Sequence, residues 1–200
     1  MYTVIGHPMS RTLRVLWALE EMGQPYEHIP APPRDPQVVA MNGTGKIPVL
    51  RGDGMVISDS VAILTFLADR HDMLTWPAGS ANRARQDEMT QYIVSEVDAA
   101  LWTYAKHSFV LPKDICVAQV KDTARWEFEH AMSHLADRFE DGPYIAGDML
   151  TIPDIILSHC AGWGLSRKFQ LPEGQFGDYL KALRKRPAMQ KVMALVQQHG

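Results

Sequence analysis

Gly45-Lys46-Ile47-Pro48-Val49-Leu50-Arg51-Gly52-Asp53-Gly54-Met55-Val56-Ile57-Ser58-Asp59-Ser60 reads as two short strands folded about a tight turn and closed by a helix cap. Pro48 to Arg51 and Met55 to Ile57 have the apolar, partly β-branched character of strands, and Asp53-Gly54 is a dipeptide that accepts the left-handed backbone of a hairpin turn. Asp59 or Ser60 can then cap a helix that Val61, Leu64 and Leu67-Ala68 continue at helical spacing.

Working outward toward the N-terminus, Thr3-Val4-Ile5 is an apolar strand that ends at Gly6. Leu13, Leu16, Trp17 and Leu19 keep a helical repeat as far as Gly23, a natural stop, and Tyr26 to Ile29 can form a second strand. Pro30, Pro32, Pro33 and Pro36 mark residues 30 to 45 as an irregular loop with room for one short helical turn. The order β-α-β-(α)-β-β-α gives an α/β layer with a mixed sheet, and it resembles the thioredoxin fold.

Toward the C-terminus the composition changes at Thr75-Trp76-Pro77-Ala78-Gly79, and beyond it strand signals cease. Ser80 can cap a long helix striped by Met89, Ile93, Val97, Leu101 and Tyr104. A second stripe runs through Val117, Val120, Ala124, Phe128, Ala131, Leu135 and Phe139, and shorter helices fit 152–165, 176–186 and 188–198. The expected organisation is a thioredoxin-like domain over residues 1–76 and an all-helical bundle domain over 83–200.

Composition excludes several classes of function. The 200 residues are 46 % apolar and 22 % charged with a net charge of −3, so no basic face is offered to a nucleic acid. No apolar run reaches the roughly 18 residues a membrane span needs, and the first residues lack a secretory pattern. Cys116 and Cys160 have neither Cys-x-x-Cys nor metal-ligand spacing. They read as buried thiols of a cytoplasmic protein with no metal.

Chemistry concentrates in four segments: Gly6-His7-Pro8-Met9-Ser10-Arg11, Gly45 to Val49, Ile57-Ser58-Asp59-Ser60, and Thr151-Ile152-Pro153-Asp154. Taken from the residues alone, Ser10 is a helix N-cap, and His7, with no acid near it in sequence, is a strand-end residue. Asp59 and Ser60 are N-caps. Thr151 and Asp154 approximate a capping box, with Leu150 and Ile155 as its hydrophobic staple and Pro153 in the first turn. The order and spacing of the four segments resemble the soluble glutathione transferases over nearly the whole chain. Ser10, with Arg14-Val15 following four and five residues later, is similar to the serine-type phi and theta-like enzymes of plants and bacteria. There is no tyrosine at residues 4 to 9 and no cysteine at position 10, which sets the chain apart from the tyrosine and cysteine types.

The resemblance implies that Ser10 donates its hydroxyl to the sulfur of glutathione, which serves as co-substrate. A free thiol with a pKa of about 8.5 is only a few per cent thiolate near neutrality. Lowering that pKa by about two units takes roughly 2.7 kcal/mol of preference for the anion, within reach of one hydroxyl and a helix N-terminus. The resemblance further assigns Lys46 or Arg34 to the glycyl carboxylate and the Ile47 backbone to the cysteinyl unit. Asp59 is matched to the γ-glutamyl ammonium, where the family usually has glutamate, and Ser60 to the γ-glutamyl carboxylate. It implies a cis Ile47-Pro48 bond, where an X-Pro bond judged by itself would be expected trans. Met9, Tyr104 and His107 are expected to line the site of a small hydrophobic electrophile, and Trp102 and Trp163 can be wall or core. Conjugation or peroxide reduction by a homodimer is the implied activity. A glutathione-dependent isomerase or dehalogenase, or a non-catalytic glutathione-binding protein of the same fold, are the alternatives.

Overall fold

A computed structural model of the chain describes residues 1–140 and 142–199; Asp141 and Gly200, both within the expected helical domain, lie outside the described residues. Strand β1 (Tyr2–Ile5) runs parallel to β2 (Tyr26–Ile29) on one side and antiparallel to β3 (Val49–Gly52) on the other, and β4 (Met55–Ser58) pairs antiparallel with β3. The parallel pair requires a crossover, which α1 (Thr12–Glu21) supplies. The antiparallel pair β3–β4 needs only a tight turn. Asp53 and Gly54 both have positive φ, 52° and 76°, the backbone of a type I′ hairpin.

The pleat of the sheet divides its side chains between two cores. Tyr2, Val4 and Leu50 join the large core with α1 and α3 (Ser60–His71), whereas Ile5 and Val49 pack with Ala31 and Val38 under the short helix α2 (Pro36–Met41). Helix α1 is enclosed on all sides, with every residue from Thr12 to Leu19 buried. Its Trp17 has no exposed surface, and the indole N–H donates to Glu21 Oε1 at 2.8 Å.

The remainder is helical. Residues 81–110 run as α4 (Ala81–Tyr92), a π-turn at Ile93–Asp98, α5 (Ala99–Ala105) and a second π-turn at Lys106–Val110. The reason lies in the stripe. Met89, Ile93, Val97 and Leu101 recur every fourth residue, and on an α-helix each such step overshoots a full turn by roughly 40°. A wider turn absorbs the overshoot, and all four residues are buried.

Helix α6 (Val120–Asp137) buries Ala124, Phe128, Ala131 and Leu135 of the second stripe. Val117, expected on that stripe, lies instead in the preceding connection and is exposed, because its N–H is held by the His107 ring at 3.1 Å. Phe139 falls beyond the helix end and stacks on Tyr179. Helices α7 (Ile152–Ser166), α8 (Gly174–Arg184) and α9 (Pro187–His199) complete the chain as described, and none of these helices is long and apolar enough to cross a membrane. One core runs through both parts. Helices α7 and α9 pack on α1, Ile152 N–H donates to Leu74 O at 3.0 Å, and Arg186 pairs with Glu21 at 2.6 Å. Cys160 is buried in this core, where desolvation pushes its thiol up to about 12. Cys116, against expectation, is only half-buried, its thiol donating to the His107 carbonyl at 2.7 Å.

Candidate functional site

Strand β1 ends at Gly6, whose φ of 148° favours glycine. A side chain there would collide with the Thr12 hydroxyl and crowd Ile47, so the missing Cβ lets α1 and the loop before β3 close on the strand end. The chain turns through His7-Pro8-Met9 to Ser10, which is half-exposed and sits just ahead of α1. Ser10 Oγ accepts the Thr12 N–H at 3.1 Å, as a cap would, donates to His7 O at 2.7 Å and lies 2.9 Å from Thr12 Oγ1. To serve a ligand, the Ser10 proton has only to rotate away from the His7 carbonyl.

Ile47-Pro48 is a cis peptide, as the resemblance implied and against the general preference of X-Pro bonds. Arg34 and Lys46 are brought side by side, since Arg34 N–H donates to Gly45 O at 2.8 Å; both side chains are exposed. Asp59 caps α3, accepting Val61 N–H at 2.8 Å and Ala62 N–H at 3.1 Å, from a backbone with φ of 83°. That conformation is uncommon for an aspartate and is characteristic of sites that aim a side chain. Ser60 is buried, and its hydroxyl accepts Arg14 Nη1–H at 3.2 Å.

Arg14 has no exposed surface and ties the corner to the helical part. It donates to Asp98 Oδ2 at 3.1 Å and, through Nε and Nη2, to His159 Nδ1. Arg11 binds the same Asp98 through two N–H groups, at 3.0 and 2.8 Å. Burial works against the Asp98 charge, but the Arg14 and Arg11 guanidiniums outweigh it and hold the carboxyl well below the usual carboxylate range. Burial, followed by the Arg14 charge, keeps His159 neutral. One carboxylate between two guanidiniums leaves a net positive charge at the start of α1.

On the open side, Met9 is 64 % exposed. Trp102 faces both the Arg11 guanidinium, 5.3 Å from its ring centroid, and the Lys46 ammonium, 5.8 Å away; Arg11 also lies over Trp163 at 5.3 Å. Tyr104 is placed edge-on to Phe169, and His107 holds the connection before α6. Trp102, by contrast, stands beside Arg11 at the start of α1. Arg11 and Asp98, which meet at this corner, were not singled out from the sequence, whereas Trp102, read there as wall or core, faces Arg11 and Lys46. One signal was available: Asp98 is three residues from Leu101 on the apolar stripe, and an acid on a buried face calls for a cation.

Residues 8–70 match the family model described as glutathione S-transferase, N-terminal domain. A glutathione S-transferase of Silene vulgaris is 26 % identical over 213 aligned positions, covering 98 % of each chain, and glutathione S-transferase 1 of Triticum aestivum is 26 % identical over 76 % of this chain and 74 % of its own. In fold, the chain superposes on a glutathione transferase from Methylococcus capsulatus with a TM-score of 0.84 at 24 % identity, covering 99 % and 100 % of the two chains. A Phanerochaete chrysosporium glutathione transferase solved with oxidized glutathione gives 0.84 at 21 % identity, over 100 % and 97 %.

Proposed function

Since the chain belongs to the glutathione transferase family, we propose that its thiol corner binds glutathione and that Ser10 holds the sulfur as a thiolate for attack on a small hydrophobic electrophile. The carrying observation is the state of Ser10. Its oxygen is fixed by the Thr12 N–H, its proton rests on the His7 carbonyl and can turn from it to a ligand, and it precedes a helix whose first residues carry a net positive charge. A thiolate there meets a donor hydroxyl, a helix N-terminus and the Arg11–Arg14–Asp98 cluster, each favouring the anion over the thiol.

The rest of the peptide is accommodated by residues of matching charge. Lys46 and Arg34 suit the glycyl carboxylate, and the Ile47 main chain suits the cysteinyl unit in the manner of an added strand residue. Asp59 suits the γ-glutamyl ammonium, while the Ser60 hydroxyl and the start of α3 suit its carboxylate. The electrophile enters beside Met9 and Trp102. Residues 1–76 supply the glutathione half of the site and 83–200 the acceptor half. The protein works in the cytoplasm as a homodimer; the open groove of Val61, Ala62 and Phe66 on the outer side of α3 supports pairing there.

The test is Ser10→Ala with an activated aryl halide as model electrophile. Loss of about two pKa units of thiol activation, the most that removal of the hydroxyl can cause, lowers the thiolate fraction and kcat/KM by about 25-fold at pH 7, and an unchanged rate contradicts the role given to Ser10. Conjugate in the product mixture separates transfer from isomerisation or dehalogenation.

A further inference from the structure

His7 is engaged from three atoms at once. Its carbonyl accepts both the Ser10 N–H at 3.1 Å and the Ser10 hydroxyl at 2.7 Å. Its Nδ1 accepts the Met9 N–H at 3.3 Å, and its Nε2 lies 3.2 Å from the carbonyl oxygen of His199 at the end of α9. These partners define the ring. A backbone N–H can only donate, so Nδ1 is bare, and a carbonyl can only accept, so Nε2 carries the proton.

We propose that His7 is a positioning residue: its neutral Nε2–H imidazole closes the 7–10 turn and pins it to α9, and thereby aims the Ser10 hydroxyl. The inference rests on the reading of Ser10 as the thiol donor. Its logic is geometric. A bond from a side-chain acceptor to the N–H two residues on is the pattern of an Asx turn, and it fixes the peptide planes between. Here those planes include the His7 carbonyl, the group that holds the Ser10 proton until a ligand arrives. The second anchor, from Nε2 to α9, stops the ring from swinging out. The neighbouring titratable groups are His28 on β2, whose Nε2–H donates to Gly6 O at 2.9 Å, and the His199 ring, 5.9 Å from that of His28. Both ring nitrogens of His7 are engaged by backbone groups, and among the described residues no carboxylate hydrogen-bonds to it, so a general-base role has no orienting partner and the positioning role needs none.

Three variants separate these contributions. His7→Asn restores an acceptor for the Met9 N–H in a true Asx turn but cannot reach α9. His7→Gln keeps polarity and sets its amide one methylene too far, and His7→Phe removes both bonds. Nitrogen NMR of the ligand-free protein reads the His7 tautomer, and amide exchange reads Met9 and Ser10. The expected result is an Nε2–H tautomer, with exchange at both amides slow in wild type, about threefold faster in His7→Asn, which keeps the turn but loses the pin to α9, and about tenfold faster in His7→Gln and His7→Phe. Titration of the bound glutathione thiol by its ultraviolet thiolate band then shows its pKa raised by about one unit, about threefold less thiolate at pH 7, in the latter two. KM for glutathione moves much less than kcat. An Nδ1–H tautomer, or equal amide exchange in all four proteins, overturns the proposal. If His7→Phe fails to fold, the Asn and Gln pair decides it. A wild type that shows the expected tautomer and exchange but no thiolate supports the His7 turn and contradicts the Ser10 reading.

Discussion

At the start of α7, Asp154 is buried and accepts hydrogen bonds from Ile145 N–H, Thr151 N–H, the Thr151 hydroxyl and the Tyr179 hydroxyl. At the start of α3, Asp59 accepts only Val61 and Ala62 N–H, remains exposed and holds a positive φ. Both are acids at helix N-termini, and their sequences look equally like caps. The first spends all its acceptor capacity inside the protein and locks the helical part together. The second keeps capacity facing solvent, and its backbone sits where a cap alone would not need it. A closed polar site stabilises; an open one keeps acceptors available to a ligand.

Breaking the closed site has the largest expected effect. Asp154→Ala leaves buried N–H and hydroxyl groups without acceptors, each costing about 1–3 kcal/mol. A loss of about 4 kcal/mol in denaturant-derived stability is expected, with activity per folded molecule unchanged. The Arg11–Arg14–Asp98 cluster lies between the two extremes, being buried yet next to the site. Asp98→Asn strands two guanidiniums and should cost about 3 kcal/mol. Its pH signature follows from the depressed Asp98 carboxyl. The stabilisation is complete above the unfolded value of about 3.9 and is lost as pH falls through the lower folded value. The gap between wild type and Asp98→Asn, measured by denaturation from pH 7 downward, therefore stays constant to about pH 4 and narrows below it.

The open site should respond in the opposite currency. Ser10→Ala lowers turnover at pH 7 by about 25-fold, equivalent to about 1.9 kcal/mol, while its melting temperature moves little. Asp59→Asn keeps the side-chain acceptor for Val61 and Ala62 and removes only the charge. Calorimetric affinity for glutathione should fall by about tenfold, or about 1.4 kcal/mol, with stability within about 0.5 kcal/mol of wild type. A large stability loss in Asp59→Asn would make the start of α3 another closed site and erase the contrast.

Much of this was legible in the residues. The Asp53-Gly54 hairpin, the β-α-β opening and the Thr151–Asp154 box are local patterns, and each is present. The fourfold stripe at Met89, Ile93, Val97 and Leu101 marked a helix, although the π-turns it demands were not anticipated. What local pattern could not supply was partnership at a distance. Arg14 and Asp98 are 84 residues apart and meet only because α1 is enclosed by the helical part. Tyr104 and His107 were expected at an acceptor site because they stand near the end of the first long helix; in the fold Tyr104 packs edge-on to Phe169, His107 accepts the Val117 N–H, and Trp102 faces Arg11. The cis bond at Ile47-Pro48 likewise came from the family resemblance and not from the dipeptide.

The account stands on an anionic sulfur held beside Ser10 at neutral pH. Calorimetric titration of glutathione into the protein, repeated in buffers of different ionisation enthalpy, measures the protons set free on binding. About 0.7 of a proton released per glutathione at pH 7, falling sharply in Ser10→Ala, is the predicted result. Binding with no proton released, or no binding heat in any buffer, would contradict it.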